Sequence, residues 1–226
     1  VRVLSDLGVD ALCAVTAVTA QSNKAVTAVH HVPPEVIRAQ IRAAFDTRQI
    51  EAVKIGMLGT RATVETVADA LLHQPQPFSL VIDPVLVSSS GGVLLDEGGR
   101  AALTGALFPT ATLVTPNVPE AAALLEEPVA ADEADLLEQG QRLLDLGSQA
   151  ILLKGGHGTG LEAVDLLISR EGIDRLAAPR VCGSSRGTGC ALASAIAAGL
   201  AGGKTLQNAC MAAKQYVLGM LTPQGR

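Results

Sequence analysis

Short β-branched runs alternate with longer amphipathic stretches along most of this chain, and that alternation limits its fold more than any other feature. Strand-like runs fall at residues 12–19, 53–57, 80–85, 112–115, 150–154, 164–169 and 175–181, with a small further one at 25–32. Helical periodicity falls at 34–47, 60–73, 96–107, 132–146, 188–201 and 205–221. A strand that leads through a helix to a parallel strand closes as a right-handed unit. The order therefore predicts an α/β fold: a three-layer αβα sandwich around a mostly parallel sheet. The last two runs, joined by Glu171-Gly172, predict an antiparallel hairpin at one edge. Residues 1–7 read as the last two turns of a helix capped by Gly8. With 226 residues and no linker-like stretch, one domain is expected.

Apolar residues make up 48% of the chain but aromatic residues only 2%, so Ala, Val, Leu and Gly must fill the core and bring helices close to the sheet. No apolar run reaches the length of a membrane span. The net charge is −5 and the basic residues are scattered, so neither nucleic acid nor membrane is an expected partner. Cys13, Cys182, Cys190 and Cys210 show no C-x-x-C and no zinc spacing. They fit reduced thiols in a cytoplasmic protein, and no signal or transit peptide is visible.

The chemistry concentrates where strands end. In open parallel sheets, ligands bind beyond the carboxyl ends of the strands. Here those ends carry Gln21, Lys54 to Met57, Asp83-Pro84, Pro116-Asn117 and Lys154 to His157, and a glycine-rich turn follows the last strand. That turn, RGTGCALASAIAA from Arg186, runs into a small-residue helix. Gly187 and Gly189 let the backbone approach a ligand, and the helix aims unpaired N–H groups at the same spot. An anion hole of this kind suits a transferring phosphate. Cys190 within it is either a small core residue or a thiol whose pKa the helix N-terminus lowers, able to hydrogen-bond or deprotonate an attacking hydroxyl. Lys154 at a buried strand end needs an anion, and a phosphate is the favoured one. Asn117-x-x-Glu120 reads as a capping box, and equally as a pair that orders Mg²⁺-bound water. Asp83-Pro84 is a strand-end turn or part of the site. His157 reads as a loop residue before a base. Met57 reads as core filler or pocket floor. Gln21 is either exposed or bonded to a polar ligand ring. Ala198–Thr205 (AGLAGGKT) loosely matches a phosphate-binding loop, but it follows a helix instead of a strand and so reads as a helix cap.

Several segments together resemble the hydroxymethylpyrimidine/phosphomethylpyrimidine kinase family of the ribokinase-like superfamily. They are VTAVTAQ (15–21), KIGML (54–58), VIDPV (81–85), TPNVPEAAALL (115–125), LLKGGH (152–157), APR (178–180) and RGTGCALASAIAAGLA (186–201). The similarity runs in order over nearly the whole chain. The cysteine is specific, since most superfamily relatives carry aspartate where Cys190 stands. The resemblance implies a ribokinase-like sandwich. It implies ATP- and Mg²⁺-dependent phosphorylation of 4-amino-5-hydroxymethyl-2-methylpyrimidine to its monophosphate and then its diphosphate, in thiamine biosynthesis. Gln21, Met57 and Val85 would contact the pyrimidine. Gly187, Thr188, Gly189 and Cys190 would form the anion hole and catalytic thiol. Lys154 and Lys214 would meet the ATP phosphates, where Arg186, in a stretch that departs from the family, offers a further charge; Asp83, Asn117 and Glu120 would form the metal and phosphate shell, with Asp83 and Glu120 as metal ligands. A homodimer is the expected assembly.

Two departures stand out. The family opens with a strand and a GSDxSGGAG-type loop that the given residues do not contain, so the first strand and part of the substrate site are expected to be missing from them. The stretch VCGSSR (181–186) differs from the usual approach to GTGC, which often has Thr-His before it. The competing readings are a pyridoxine/pyridoxal kinase of the GTGC type and a non-catalytic pyrimidine-binding homologue.

Overall fold

In the computed structural model, which describes residues 1–22, 25–88, 91–155, 160–181 and 187–222, two sheets organise the chain. The larger has six strands in the order β3 (Ala52–Ile55), β4 (Ser79–Ile82), β5 (Leu113–Val114), β6 (Ala150–Lys154), β7 (Glu162–Ser169) and β8 (Gly172–Pro179). The first four are parallel, and β7 and β8 add the antiparallel hairpin at the edge, as the alternation and the Glu171-Gly172 turn predict.

Successive residues of these strands face opposite helical layers, so the runs are apolar on both sides. Ile55, Leu80, Ile82, Val114, Ile151 and Leu153 meet one layer. That layer holds α2 (Pro34–Thr47), α3 (Arg61–Leu72), α4 (Glu97–Ala102), α5 (Val118–Leu125) and α6 (Glu133–Leu144). Val81, Leu113, Ala150, Leu152 and Leu167 meet the other, formed by α7 (Thr188–Ala201) and α8 (Leu206–Leu221), with the short α1 (Arg2–Asp6) against α7. Alanines 191, 193, 195 and 197 are all buried in α7. Their small side chains let the helix lie close on the sheet, the packing that a chain poor in aromatics requires. Among the described residues, no helix is long and apolar enough to cross a membrane.

The structure corrects the reading of residues 12–19. The strand there is β1 (Ala17–Gln21), and it pairs antiparallel with β2 (Val26–His31) in a separate two-stranded ribbon, largely exposed. A central parallel strand must be apolar on both faces; this run interleaves Thr16 and Thr19 with Val15 and Val18 and suits a ribbon with one wet face. The helix expected over 96–107 also changes pitch. After α4 a π turn spans Leu103–Leu107 and a 3₁₀ turn spans Phe108–Thr110. Leu103 and Leu107 lie on one face and are both buried, and Pro109 prevents the helix from continuing. Elsewhere the local signals hold: Gly8 follows the end of α1, and Gly202 closes α7 where the loose phosphate-loop pattern stands.

Phe108 is the bulkiest side chain fully buried in the core. Phe108→Ala should lower unfolding free energy by about 3–5 kcal/mol in urea titration. A loss under about 1 kcal/mol would show that the π turn repacks freely.

Candidate active site

The apolar alternation that builds the core also places polar groups. On the face toward α7 and α8, the inward-facing residues of β3 to β7 include one polar group each, at or just past the end of each parallel strand. Lys54 follows Ala52, Asp83 follows Val81, Thr115 follows Leu113, Lys154 follows Leu152, and Asp165 precedes Leu167. Strand register sets these residues side by side: Ile82 lies against Val114, and Lys154 against Asp165. Thr115, Asp83, Lys154 and Asp165 are buried and Lys54 is nearly so. A row of buried polar groups survives only if its members satisfy one another.

They do so through ion pairs. Lys154 Nζ lies 2.8 Å from Asp83 Oδ1 and 3.8 Å from Glu120 Oε2, while Lys54 Nζ lies 3.7 Å from Asp83 Oδ2. Burial alone would push Asp83 up. The ammoniums of Lys154 and Lys54, with the hydrogen bond from Lys154 and the nearby Cys190 thiol, more than offset this and hold it below the ordinary carboxylate range. Burial works against the charge on Lys154 too, yet Asp83 and Glu120 raise its pKa. Glu120 moves the other way: burial pushes it up, and Lys154 and the Asn117 backbone N–H offset only part of that.

Asn117 and Glu120 form the expected capping box at the start of α5. Glu120 N–H donates to Asn117 Oδ1 and Asn117 N–H donates to Glu120 Oε2, both at 2.8 Å. The box therefore fixes the carboxylate beside Lys154. Pro116 ties the same loop to β6 by accepting from Lys154 N–H.

Above the row stands the glycine turn. Gly187 caps α7 with a φ of 83°, a left-handed conformation that glycine adopts without strain, and brings no side chain to occupy the first N–H groups of the helix. A Cβ on Gly189 would stand 3.3 Å from Lys154 Nζ, so the turn sits directly over the ammonium. Thr188 is half-buried. Cys190 is exposed as a residue, while its thiol lies close to the buried Asp83 carboxylate. Here the structure reverses an expectation. Desolvation of the sulphur first, and the Asp83 charge second, push the thiol up, while Lys54 and Lys154 pull it down by less.

Lys214, expected at the phosphates, is committed elsewhere. Its Nζ lies 2.6 Å from Asp165 Oδ2, and the other oxygen, Oδ1, accepts from Gly155 N–H at 3.0 Å. Asp165 thus pins α8 to the exit of β6. Gly155 must be glycine, since a Cβ there would overlap the Val164 carbonyl. Met57 and Val85 are half-buried beyond the ends of β3 and β4. Thr16, just before β1, donates to the Met57 carbonyl at 2.7 Å and anchors the ribbon there. Gln21 is not on the central sheet; it is exposed at the far end of β1, opposite Val26, which approaches Gly92. His157, Cys182 and Arg186 lie outside the described residues. Cys210 is buried beneath α8 with its thiol pushed up to about 12 and is structural, as expected, whereas Cys13 is exposed.

The residues missed by sequence reasoning are Thr115 and Asp165, and Lys54, noted only as part of a strand end. Their signal was the period-two alternation. For a metal, the described residues hold no group of three or more His, Cys, Asp or Glu side chains. Asp83 already faces two ammoniums, which makes it a partner for cations on lysine more than a ready metal ligand. Glu120, beside the mouth, is better placed to meet a hydrated ion that phosphate oxygens also hold.

A family model described as phosphomethylpyrimidine kinase matches residues 1–225. A hydroxymethylpyrimidine/phosphomethylpyrimidine kinase of Rhizobium meliloti is 42% identical over 217 residues, covering 96% of this chain and 81% of its own. The crystal structure of a phosphomethylpyrimidine kinase from Clostridium difficile superposes with a TM-score of 0.85 at 32% identity, covering 98% of this chain and 90% of that one. The pyridoxal kinase of Staphylococcus aureus, in complex with AMP-PCP and pyridoxal, superposes with a TM-score of 0.87 at 26% identity, covering 97% and 80%.

The Lys214–Asp165 pair gives a test of how this floor is held. Lys214→Met strands a buried carboxylate and should cost about 3–5 kcal/mol of stability in chemical denaturation. Adding Asp165→Asn should restore most of it, because the asparagine oxygen still accepts from Gly155. Equal losses in the single and double variants would contradict the pairing.

Proposed function

The chain belongs to the phosphomethylpyrimidine kinase family, and from that premise we propose that it transfers the γ-phosphoryl group of ATP twice in thiamine biosynthesis. The first acceptor is the hydroxymethyl group of 4-amino-5-hydroxymethyl-2-methylpyrimidine, and the second is the monophosphate so formed. The observation that carries this reading is the placement of the Gly187–Cys190 turn over the Lys154–Asp83 pair.

Phosphoryl transfer asks a protein for positioning and charge stabilisation more than for covalent chemistry. The N–H groups at the mouth of α7 receive nucleotide phosphate oxygens, and Lys154 beneath them offsets the charge that spreads over the transferring group. The acceptor ring lies on the β3–β4 side against Met57 and Val85, with Gln21 reaching in from the ribbon. Its hydroxyl faces Cys190, whose thiolate takes the proton as the new O–P bond forms, while the bond from the γ-phosphorus to its bridging oxygen breaks and the electron pair leaves with ADP. Asp83 holds that sulphur and both lysines in place. Mg²⁺, when bound, neutralises phosphate charge; Glu120 and Asn117 would order its water shell. Lys214 acts at one remove, by fixing Asp165 and the exit of β6. The assembly is proposed to be a homodimer.

Incubating the full chain with Mg-ATP and, separately, the pyrimidine alcohol, its monophosphate and pyridoxal tests the substrate. Product masses should show the pyrimidine mono- and diphosphates; pyridoxal phosphate as the sole product would replace this reading with its pyridoxal alternative.

Cys190→Ala should lower kcat for the alcohol by ~10²-fold or more. Because the acting form is the thiolate and the thiol is pushed up, wild-type kcat/KM for the alcohol should still climb with pH beyond the ordinary thiol value of about 8.5. The alanine variant should lose that climb. A near-normal rate, or an unchanged pH profile, would reduce Cys190 to a packing residue.

A further inference from the structure

The carboxyl ends of the strands divide this site into two sides. Lys154, Glu120 and Asn117 come from β6 and from the start of α5. Met57 and Val85 follow β3 and β4, and Lys54 stands at the end of β3 on that side. Asp83 stands between the two, with Oδ1 toward Lys154 and Oδ2 toward Lys54.

The two cations are unequally balanced. Lys154 has Asp83 at hydrogen-bond distance and Glu120 nearby. Lys54 has Asp83 alone among the described residues, at 3.7 Å, which is too long for a hydrogen bond. Its side chain is only 17% exposed. It is therefore a mostly buried ammonium whose three N–H donors no described residue engages. A Cβ on Gly56 would stand 2.7 Å from Lys54 Nζ, so the bare backbone at Gly56 gives the ammonium its room at the strand end. Lys54 also lies close enough to Cys190 to lower the pull of Asp83 on its thiol.

The two proposed transfers make different demands. The first acceptor is a neutral alcohol that must lose a proton. The second is a phosphate monoester carrying about −1.5 to −2 charges near neutral pH, which has little or no proton to lose but must approach another polyanion. Lys154 already has two carboxylates to balance it. We infer that Lys54 binds the phosphate of the monophosphate acceptor in the second transfer, and so determines that this site takes a phosphorylated substrate as well as an alcohol. The inference rests on the function proposed above. In that step an oxygen of the acceptor phosphate dianion bonds to the γ-phosphorus. The bond from that phosphorus to its bridging oxygen breaks, and the electron pair leaves with ADP. No proton needs to move, and Lys54 holds the acceptor's remaining oxygens.

The test measures kcat/KM of the full chain for the alcohol and for the monophosphate at saturating Mg-ATP. Lys54→Gln should lower the monophosphate value ~10-fold or more beyond any loss for the alcohol, chiefly through KM, as expected for a lost charge-assisted hydrogen bond. Lys54→Arg should recover most of it. Cys190→Ala should show the opposite selectivity, since only the alcohol needs a base. Equal losses of Lys54→Gln on both acceptors, or an arginine variant as poor as the glutamine one, would overturn the inference. Should Lys54→Gln not fold, the wild-type chain still decides: the monophosphate KM should rise with added KCl while the alcohol KM does not, and a salt-independent monophosphate KM would overturn it equally. A wild-type chain that phosphorylates neither pyrimidine would instead overturn the functional reading, and this inference with it.

Discussion

The arrangement of this site depends on one buried carboxylate. Asp83 is 2% exposed, and a charge so far from water persists only with partners. It draws Lys154 from β6 across the intervening β5, and Lys54 from β3, so three strands are keyed at their ends by a single group. Thr115, on β5 between them, sends its hydroxyl toward the Ile82 carbonyl and the Asp83 carboxylate. Without the lysines the carboxylate would protonate or leave the interior. Without the carboxylate, two ammoniums would repel each other beneath the same helix.

That helix can sit over the row because of composition. A chain with so few aromatic residues cannot hold α7 off the sheet with large side chains. The alanines of α7 instead bring its backbone close to β3 and β4. The consequence appears at its amino end, where Gly189 lies over Lys154 and Cys190 reaches Asp83. Small-residue packing in the core therefore sets the height of the glycine turn above the cations. A bulkier buried face on α7 would lift the turn away from the lysine whose charge it shares.

Much of this was legible in the sequence, for identifiable reasons. The strand–helix order, the capping box at Asn117 and the glycine turn before Cys190 are local signals, and each is complete within a few residues. The ribbon was not legible, because residues 12–19 are as β-branched as a core strand and only the tertiary structure shows that both faces are not buried. The polar row was half legible. Each strand declares its own inward polar residue, but only register shows that Lys54, Asp83 and Lys154 meet while Asp165 turns to Lys214. The thiol misled for the same reason. Its sequence neighbours place it at a helix terminus, whereas its desolvation and, after that, the charge of Asp83 push it up, and neither is visible in those neighbours.

The unequal standing of the two carboxylates near Lys154 says how the site can admit an anion without rebuilding itself. Asp83 is held low and is gripped from both sides, so it stays ionised as the fixed counter-charge. Glu120 is raised by burial, sits further from the ammonium and is anchored by the backbone of its own capping box. In the proposed function, a phosphate arriving at the mouth of α7 would compete for Lys154 with the weaker of these partners. Glu120 can yield the ammonium while remaining hydrogen-bonded at Asn117, and Asp83 keeps Lys54 and Lys154 from drifting toward the newcomer. The strong pair preserves the geometry and the weak pair provides the vacancy in charge, so the resting site is both balanced and ready to bind.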